Sequence, residues 1–267
     1  MTPRKKVGLV LGSGGARGWA HIGVIKALHA MGFKPDVIAG SSIGALIGAI
    51  YASGAMEAFV KEVEAFDFPK LAKLFAEVRF PRAGLLSGKP ILKWLAKKSL
   101  LGNKTFDDLE IPFAVIATDL FKEESVVLRS GSLIDAVRAS IAIPGIFDPV
   151  MCNQRILVDG GLSDPIPVSV ARQLGADIVI AVDINVQQKL LDPQQVPTIF
   201  MTLLQTSRIF ENQMTRLTLA HYPADILIKP DIGHIQSLDF YGGKEAIRKG
   251  ELAVEQIRPQ LLKALES

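Results

Sequence analysis

VIAGSSIGALIGAIY, residues Val37–Tyr51, places one serine where an apolar strand gives way to a helix. Val37, Ile38 and Ala39 read as a short buried strand, and Leu46, Ile47 and Ile50 fall at i, i+1 and i+4 on one helical face. Between them Gly40 and Gly44 flank Ser42 in a G-x-S-x-G pattern. Small neighbours there permit the cramped turn that lifts a hydroxyl clear of the backbone at a helix N-terminus. The same letters also suit an ordinary turn or N-cap, so the surrounding chain has to decide.

Upstream, Lys5–Leu11 is a short apolar strand, and GSGGARG (Gly12–Gly18) follows it as a glycine-rich loop. Ile22, Ile25, Leu28 and Met31 recur at helical spacing, Gly32 ends that helix, and Phe33–Gly40 leads into the serine turn. Strand, loop, helix, strand, turn, helix is the opening of a parallel α/β fold. Further along, Phe113–Leu120, Ser125–Leu128, Arg155–Val158, Ile178–Val182 and Ile226–Ile228 read as strands. A short helix spans Leu133–Ala139, and longer ones run from about Val196 to Ala220 and from about Gly243 to Leu265. Residues 55–104 read as irregular helices broken by Pro69, Pro81 and Pro90, an insertion over one end of the sheet. No repeat or low-complexity linker divides the chain, so one α/β domain over 1–267 is the simpler expectation.

With 49% hydrophobic and 21% charged residues, the chain falls outside the disordered classes and within those of α/β enzymes. The single cysteine, Cys152, excludes an intramolecular disulfide. Arg4, Lys5 and Lys6 before VGLVL imitate a signal peptide, but the apolar run is too short; a soluble cytoplasmic protein is expected. A net charge of +3 gives no argument for nucleic acid. The charge is concentrated, however: residues 61–104 carry ten Lys or Arg against four acids, together with Phe66, Phe68, Phe75, Phe80 and Trp94. That basic, aromatic insertion suits peripheral contact with an anionic lipid surface, against the plainer reading of a solvated helical face.

GSGGARG suits either a phosphate cradle or an oxyanion hole, since both present glycine N–H groups at a helix N-terminus. A dinucleotide fingerprint fails because Arg17 stands at its last glycine position and Asp36 precedes the next strand. No Gly-Lys-Ser/Thr follows for a nucleotide loop, and no H-E-x-x-H or Cys/His cluster offers a metal site, so no cofactor is expected. A base for Ser42 is needed. Asp159 ends a strand ahead of Gly160-Gly161, where α/β sheets present site residues, although a turn aspartate looks the same. A Ser-Asp-His order could be completed by His221 or His234, neither of which is marked by its surroundings.

Three blocks in order, Gly12–Gly18, Gly40-Ser41-Ser42-Ile43-Gly44 and Asp159-Gly160-Gly161, together with SIAIPGIFDPV before the aspartate, resemble the patatin-like phospholipases over roughly residues 7–185. Within that family the chain looks closest to bacterial proteins related to the catalytic domain of neuropathy target esterase. The resemblance implies a three-layer fold with a mainly parallel central sheet flanked by helices. It also implies a Ser-Asp dyad, with Ser42 as nucleophile, Asp159 as base, and Gly14, Gly15, Arg17 and Gly18 as the oxyanion loop. Ser13 stands where relatives frequently carry glycine, which leaves the backbone donors intact. Arg17 could support the loop or bind an anionic headgroup.

The activity so implied is hydrolysis of a phospholipid or lysophospholipid ester through an acyl-enzyme, in the cytoplasm or peripherally at the inner membrane face. An acyltransferase, a thioesterase or a regulatory protein that keeps the fold are the alternatives. A dyad is demanding. A hydroxyl near pKa ~15.7 facing a carboxylate near ~3.9 leaves ~12 units, or ~16 kcal/mol, against free alkoxide. Proton transfer must therefore accompany attack, and burial should raise the pKa of Asp159.

Overall fold

The computed structural model describes residues 4–64, 84–185, 198–235 and 243–266. Its strands are β1 (Val7–Leu11), β2 (Val37–Ser41), β3 (Gly84–Leu86), β4 (Phe113–Asp119), β5 (Glu124–Leu128), β6 (Gly145–Phe147), β7 (Val150–Cys152), β8 (Arg155–Asp159), β9 (Ile178–Val182) and β10 (Ile226–Ile228). Eight of them form one sheet in the order β10-β9-β1-β2-β4-β8-β7, with β5 also on β4. From β10 to β4 every neighbour is parallel; β5 and β8 run antiparallel to β4, and β7 antiparallel to β8.

The uninterrupted apolar letters of β1, β2, β4 and β9 follow from burial on both faces of the sheet. Leu9, Leu11, Ile38, Val115, Ile180 and Val182 point to one face and join a core built with α1 (Trp19–Ala30), α2 (Ile43–Ala52), α3 (Met56–Glu64) and the helix Gly243–Gln256. Val10, Val37, Ala39, Ala114, Ile116, Val179 and Ala181 point to the other and pack on the helix Val168–Gln173 and on Leu219 of the long helix Ile199–His221. Helix, sheet, helix is thus the layering. Each such Val, Leu or Ile side chain contributes roughly 1.5–3 kcal/mol by leaving water.

The register brings two strand ends together. β2 pairs with Phe113–Ile116 of β4, and Ser41 lies opposite Ile116. β8 pairs with the next rungs, Asp159 lying opposite Ala117. β5 pairs along Val115–Asp119 and so takes the other edge of β4, which leaves β2 and β8 on one shared edge, running toward each other. The residue after Ser41 and the last residue of β8 therefore meet.

Part of the insertion differs from expectation. Gly84–Leu86 is a strand, pairing in parallel with Gly145–Phe147 of the IPGIF turn, and the helix Lys89–Leu95 follows with Pro90 at its start. Arg138 secures this contact: Nη2 donates to Ser87 O and Asp148 O, and the guanidinium lies over the Phe147 ring. Trp94 turns inward, against Phe59 and hydrogen bonded to Glu62, so it serves core packing. Phe66, Phe68, Phe75 and Phe80 of the expected membrane cover lie outside the described residues. The C-terminal helix is broken at Ile257, because Pro259 has no N–H for the carbonyl four residues back. Among the described residues no helix is long and apolar enough to cross a membrane.

Candidate active site

Ser42 stands at the N-terminus of α2 with φ 54° and ψ −123°, a strained conformation for a residue with a side chain. Among the described residues the other non-glycine ones at positive φ, Glu123, Asn153 and Gln154, lie in exposed hairpin turns, whereas Ser42 is buried. The flanking glycines are required by contact. A Cβ on Gly40 would lie 2.6 Å from Gly44 O, and one on Gly44 would lie 2.0 Å from Leu11 O. Ser42 N donates to Ser140 Oγ at 2.8 Å, which fixes the turn from the last residue of the helix Leu133–Ser140.

Ser42 Oγ donates to Asp159 Oδ2 at 2.7 Å. The other carboxylate oxygen, Oδ1, accepts from Gly161 N at 2.8 Å, and Thr118 Oγ1 donates to Asp159 O at 2.8 Å, so the aspartate is held on side chain and backbone alike. Asp159 is 3% exposed. Burial, reinforced by the nearby Glu211 carboxylate, pushes its pKa up to about 8, against the opposing hydrogen bonds from Ser42 and Gly161.

The glycine loop lies against this pair. Gly12 N donates to Val182 O and Ser13 N to Pro165 O, while His21 Nε2 donates to Gly12 O at 2.9 Å. Complete burial holds that histidine neutral, its pKa lowered to about 4. Gly14 and Gly15 follow at φ 156° and 63°, and among the described residues neither spends its N–H on a backbone carbonyl. Gly18 abuts Ile43, the residue after Ser42, so closely that a Cβ would lie 2.1 Å from Ile43 Cγ1. A Cβ on Gly161 would lie 3.0 Å from Ser13 Cβ and 3.1 Å from Asp159 Oδ1. All three glycine-bearing blocks are in mutual contact.

Arg17 departs from the headgroup-binding option. Its side chain is fully buried and Nε donates to Ile235 O at 2.8 Å, with burial first and Arg208 second lowering its pKa to about 10. It supports the loop from behind. Glu211, from the long helix, was not foreseen: it accepts from Ser13 Oγ at 3.0 Å, and its own pKa is raised by burial. Ser140 was not foreseen either. Glu211 belongs to no motif and Ser140 only opens the SIAIPGIFDPV segment, and their partners lie 198 and 98 residues away in sequence.

No histidine joins the pair. His221 lies beside the neighbouring Tyr222 with the rings tilted, His234 shares a 2.7 Å hydrogen bond with Glu245, and His29 bonds Tyr51. Both oxygens of Asp159 are already engaged by Ser42 and Gly161.

An α/β sheet that presents a serine on a strained strand-to-helix turn, with an aspartate and a glycine loop against it, defines a class of serine hydrolase folds. The family model for patatin-like phospholipases matches residues 9–172, more than half of the sequence, and the chain belongs to that family. It is 41% identical over 180 residues to an uncharacterized NTE family protein of Mycobacterium bovis, covering 67% of this chain and 49% of the relative. Lysophospholipase NTE1 of Coccidioides immitis is 36% identical over 184 residues, 68% of this chain and 12% of that protein. Patatin-like phospholipase domain-containing protein 6 of Mus musculus is 33% identical over 189 residues, 68% and 14% respectively. The chain thus matches about half or less of each relative's length. Among solved structures, VipD from Legionella pneumophila superposes with a TM-score of 0.54 at 16% identity, over 96% of this chain and 67% of that one. The type III effector ExoU gives 0.51 at 19%, over 99% and 54%. Both bear on the fold alone.

Proposed function

We propose that the chain is a lipid acyl hydrolase of the phospholipase or lysophospholipase type, acting through a Ser42-Asp159 dyad and a seryl acyl-enzyme. The observation that carries this reading is the buried 2.7 Å hydrogen bond from Ser42 Oγ to Asp159 Oδ2 at the end of a strained turn. In the first step Oγ attacks the ester carbonyl carbon while its proton passes to Oδ2. The carbonyl π pair moves onto oxygen, where the N–H groups of Gly14 and Gly15 are its proposed donors. Collapse expels the alcohol, which takes the proton from Asp159. Water then attacks the acyl-enzyme, giving its proton to Asp159, and Oγ recovers a proton as the fatty acid leaves. A raised carboxyl pKa favours this route, because it narrows the gap to the serine hydroxyl that opposes proton transfer.

Names of relatives such as lysophospholipase NTE1 support a single-chain lipid as substrate. Peripheral lipid contact through residues 61–104 belongs to the same reading, and salt-sensitive sedimentation with anionic liposomes tests it. The central experiment is fluorophosphonate labelling with peptide mapping, followed by a lipid panel with product identification. A label on Ser42 and release of free fatty acid are expected. Transfer of the acyl group to an alcohol or thiol would make the chain an acyltransferase, and absence of both label and turnover would make it a binding protein.

A further inference from the structure

The long helix Ile199–His221 is amphipathic the wrong way round. A surface helix ordinarily turns its apolar stripe to the core and its charges to water. Here Glu211 and Thr215 face inward, onto Ser13 and Asn185, while Ile199, Leu203, Phe210 and Leu217 face outward, each more than half exposed. At 3.6 residues per turn these four fall within about 40° of one another and form a stripe roughly 27 Å long. Among the exposed positions of the helix, Arg216 alone carries a fixed charge.

The spacing of the stripe is symmetric. Leu203 and Leu217 stand seven residues either side of Phe210, and Ile199 and the exposed His221 stand eleven either side. A half-turn about an axis through Phe210, perpendicular to the helix, therefore lays Leu203 on the partner's Leu217 and Ile199 on the partner's His221. An isologous interface demands this property, because every contact from i to j must return as j to i. The antiparallel pairing also opposes the two helix dipoles. It keeps the two Arg216 side chains twelve residues apart along the pair, about 18 Å, beyond the screening length in physiological salt. A lipid surface is the poorer fit, since a helix lying on a membrane needs Lys or Arg along its polar flanks. The positions beside this stripe are Thr202, Thr206, Ser207, Gln213 and Thr218.

We propose that this face is the interface of a homodimer, two copies of the chain joined by antiparallel Ile199–His221 helices with Phe210 on the twofold axis. Covering the four stripe residues with the neighbouring Ile209 and Tyr222, which are also more than half exposed, removes roughly 500 Å² of each copy from water. That is the small end of specific interfaces, so association in the micromolar range is expected. Phe210 adjoins Glu211, whose carboxylate holds Ser13, so the partner braces the helix directly behind the glycine loop. The dimer stands apart from the hydrolase reading.

Sedimentation velocity of the full chain from about 1 to 100 μM tests it. Dimer should build up over that range. Phe210→Glu sets two like charges face to face on the axis and should raise the concentration for half-association at least tenfold. Leu252→Glu, at an exposed position on the helix Gly243–Gln256, should leave association unchanged. The register has its own test. Leu203→Glu with Leu217→Lys in one chain brings opposite charges together across an antiparallel pair and should still dimerise, whereas Leu203→Glu with Leu217→Glu should be monomeric. All of these positions are exposed, so the variants should fold, and circular dichroism with thermal unfolding checks each. A parent that stays monomeric at about 100 μM overturns the proposal, including one that sediments instead with phosphatidylcholine–phosphatidylglycerol vesicles. So does a dimer that Phe210→Glu leaves intact, or one on which the two double variants act alike.

Discussion

Ser41 and Asp159 occupy consecutive rungs on one edge of β4, opposite Ile116 and Ala117, on strands that approach from opposite directions. That arrangement delivers the hydroxyl of the next residue, Ser42, to the carboxylate without a long loop. Asp159→Asn should therefore reduce ester turnover by orders of magnitude, approaching the loss in Ser42→Ala, because an amide cannot take the serine proton. His221→Gln and His234→Gln should stay within a few-fold of the parent. Steady-state kinetics on one ester substrate decides it: a histidine variant that folds normally and is as inactive as Ser42→Ala would replace the dyad with a triad.

The raised pKa of Asp159 sets activity and stability against each other. In the proposed mechanism Asp159 serves as base only when ionised, so kcat/KM should rise with pH along a limb well alkaline of the usual carboxylate range. Glu211→Gln removes the neighbouring negative charge and should move that limb to lower pH while retaining an acceptor for Ser13. Stability runs the other way. The folded chain favours protonated Asp159, a contribution complete below the unfolded carboxyl pKa of about 3.9 and lost as pH rises through the folded value of about 8. Urea midpoints between pH 5 and pH 8.5 should fall less steeply in Asp159→Asn; an identical slope would show that other groups carry the dependence.

Backbone strain at Ser42 can be measured in chains that lack its hydroxyl. Ser42→Ala and Ser42→Gly both lack Oγ, but only glycine adopts φ 54° and ψ −123° without steric cost. The glycine variant should be the more stable of the two by about 1 kcal/mol in equilibrium unfolding. Equal or reversed stabilities would mean that the turn relaxes when the hydroxyl is removed.

Much of this site was legible in the sequence because its parts are local. Gly40 and Gly44 bracket Ser42 within five residues, and Asp159 is followed two residues on by Gly161, whose N–H it accepts. The parallel strands announced themselves by being apolar on both faces. Glu211 did not: it is one acid in a long amphipathic helix, and only the fold brings it to Ser13. The reversed direction of β8 was equally hidden, since period and composition do not encode which way a short apolar run enters a sheet. Gly84–Leu86 was misread as part of a helical insertion because three residues are too few to show a period.

Two other glycines show no motif yet join α1 to the helix Gly243–Gln256. A Cβ on Gly23 of α1 would lie 1.8 Å from Ile247 O, and one on Gly250 would lie 2.1 Å from Ala20 O, so α1 and the helix Gly243–Gln256 cross with backbones almost touching. In an isolated helix Gly23→Ala would stabilise by about 1 kcal/mol. Here it should destabilise by about 1–3 kcal/mol, read as a lower urea midpoint, because neither backbone can yield without opening the crossing. A more stable variant would refute so close an approach.

That crossing also imposes an order on biosynthesis. α1 is made more than 200 residues before the helix that covers its glycine face. At ~5–20 residues per second, that face waits roughly 10–40 s for its partner, with Ser42 and Asp159 both already synthesised. The nascent chain therefore carries both Ser42 and Asp159 before it can complete the layer that holds α1, and any factor that guards the emerging polypeptide has to stay until the helix Gly243–Gln256 has left the ribosome.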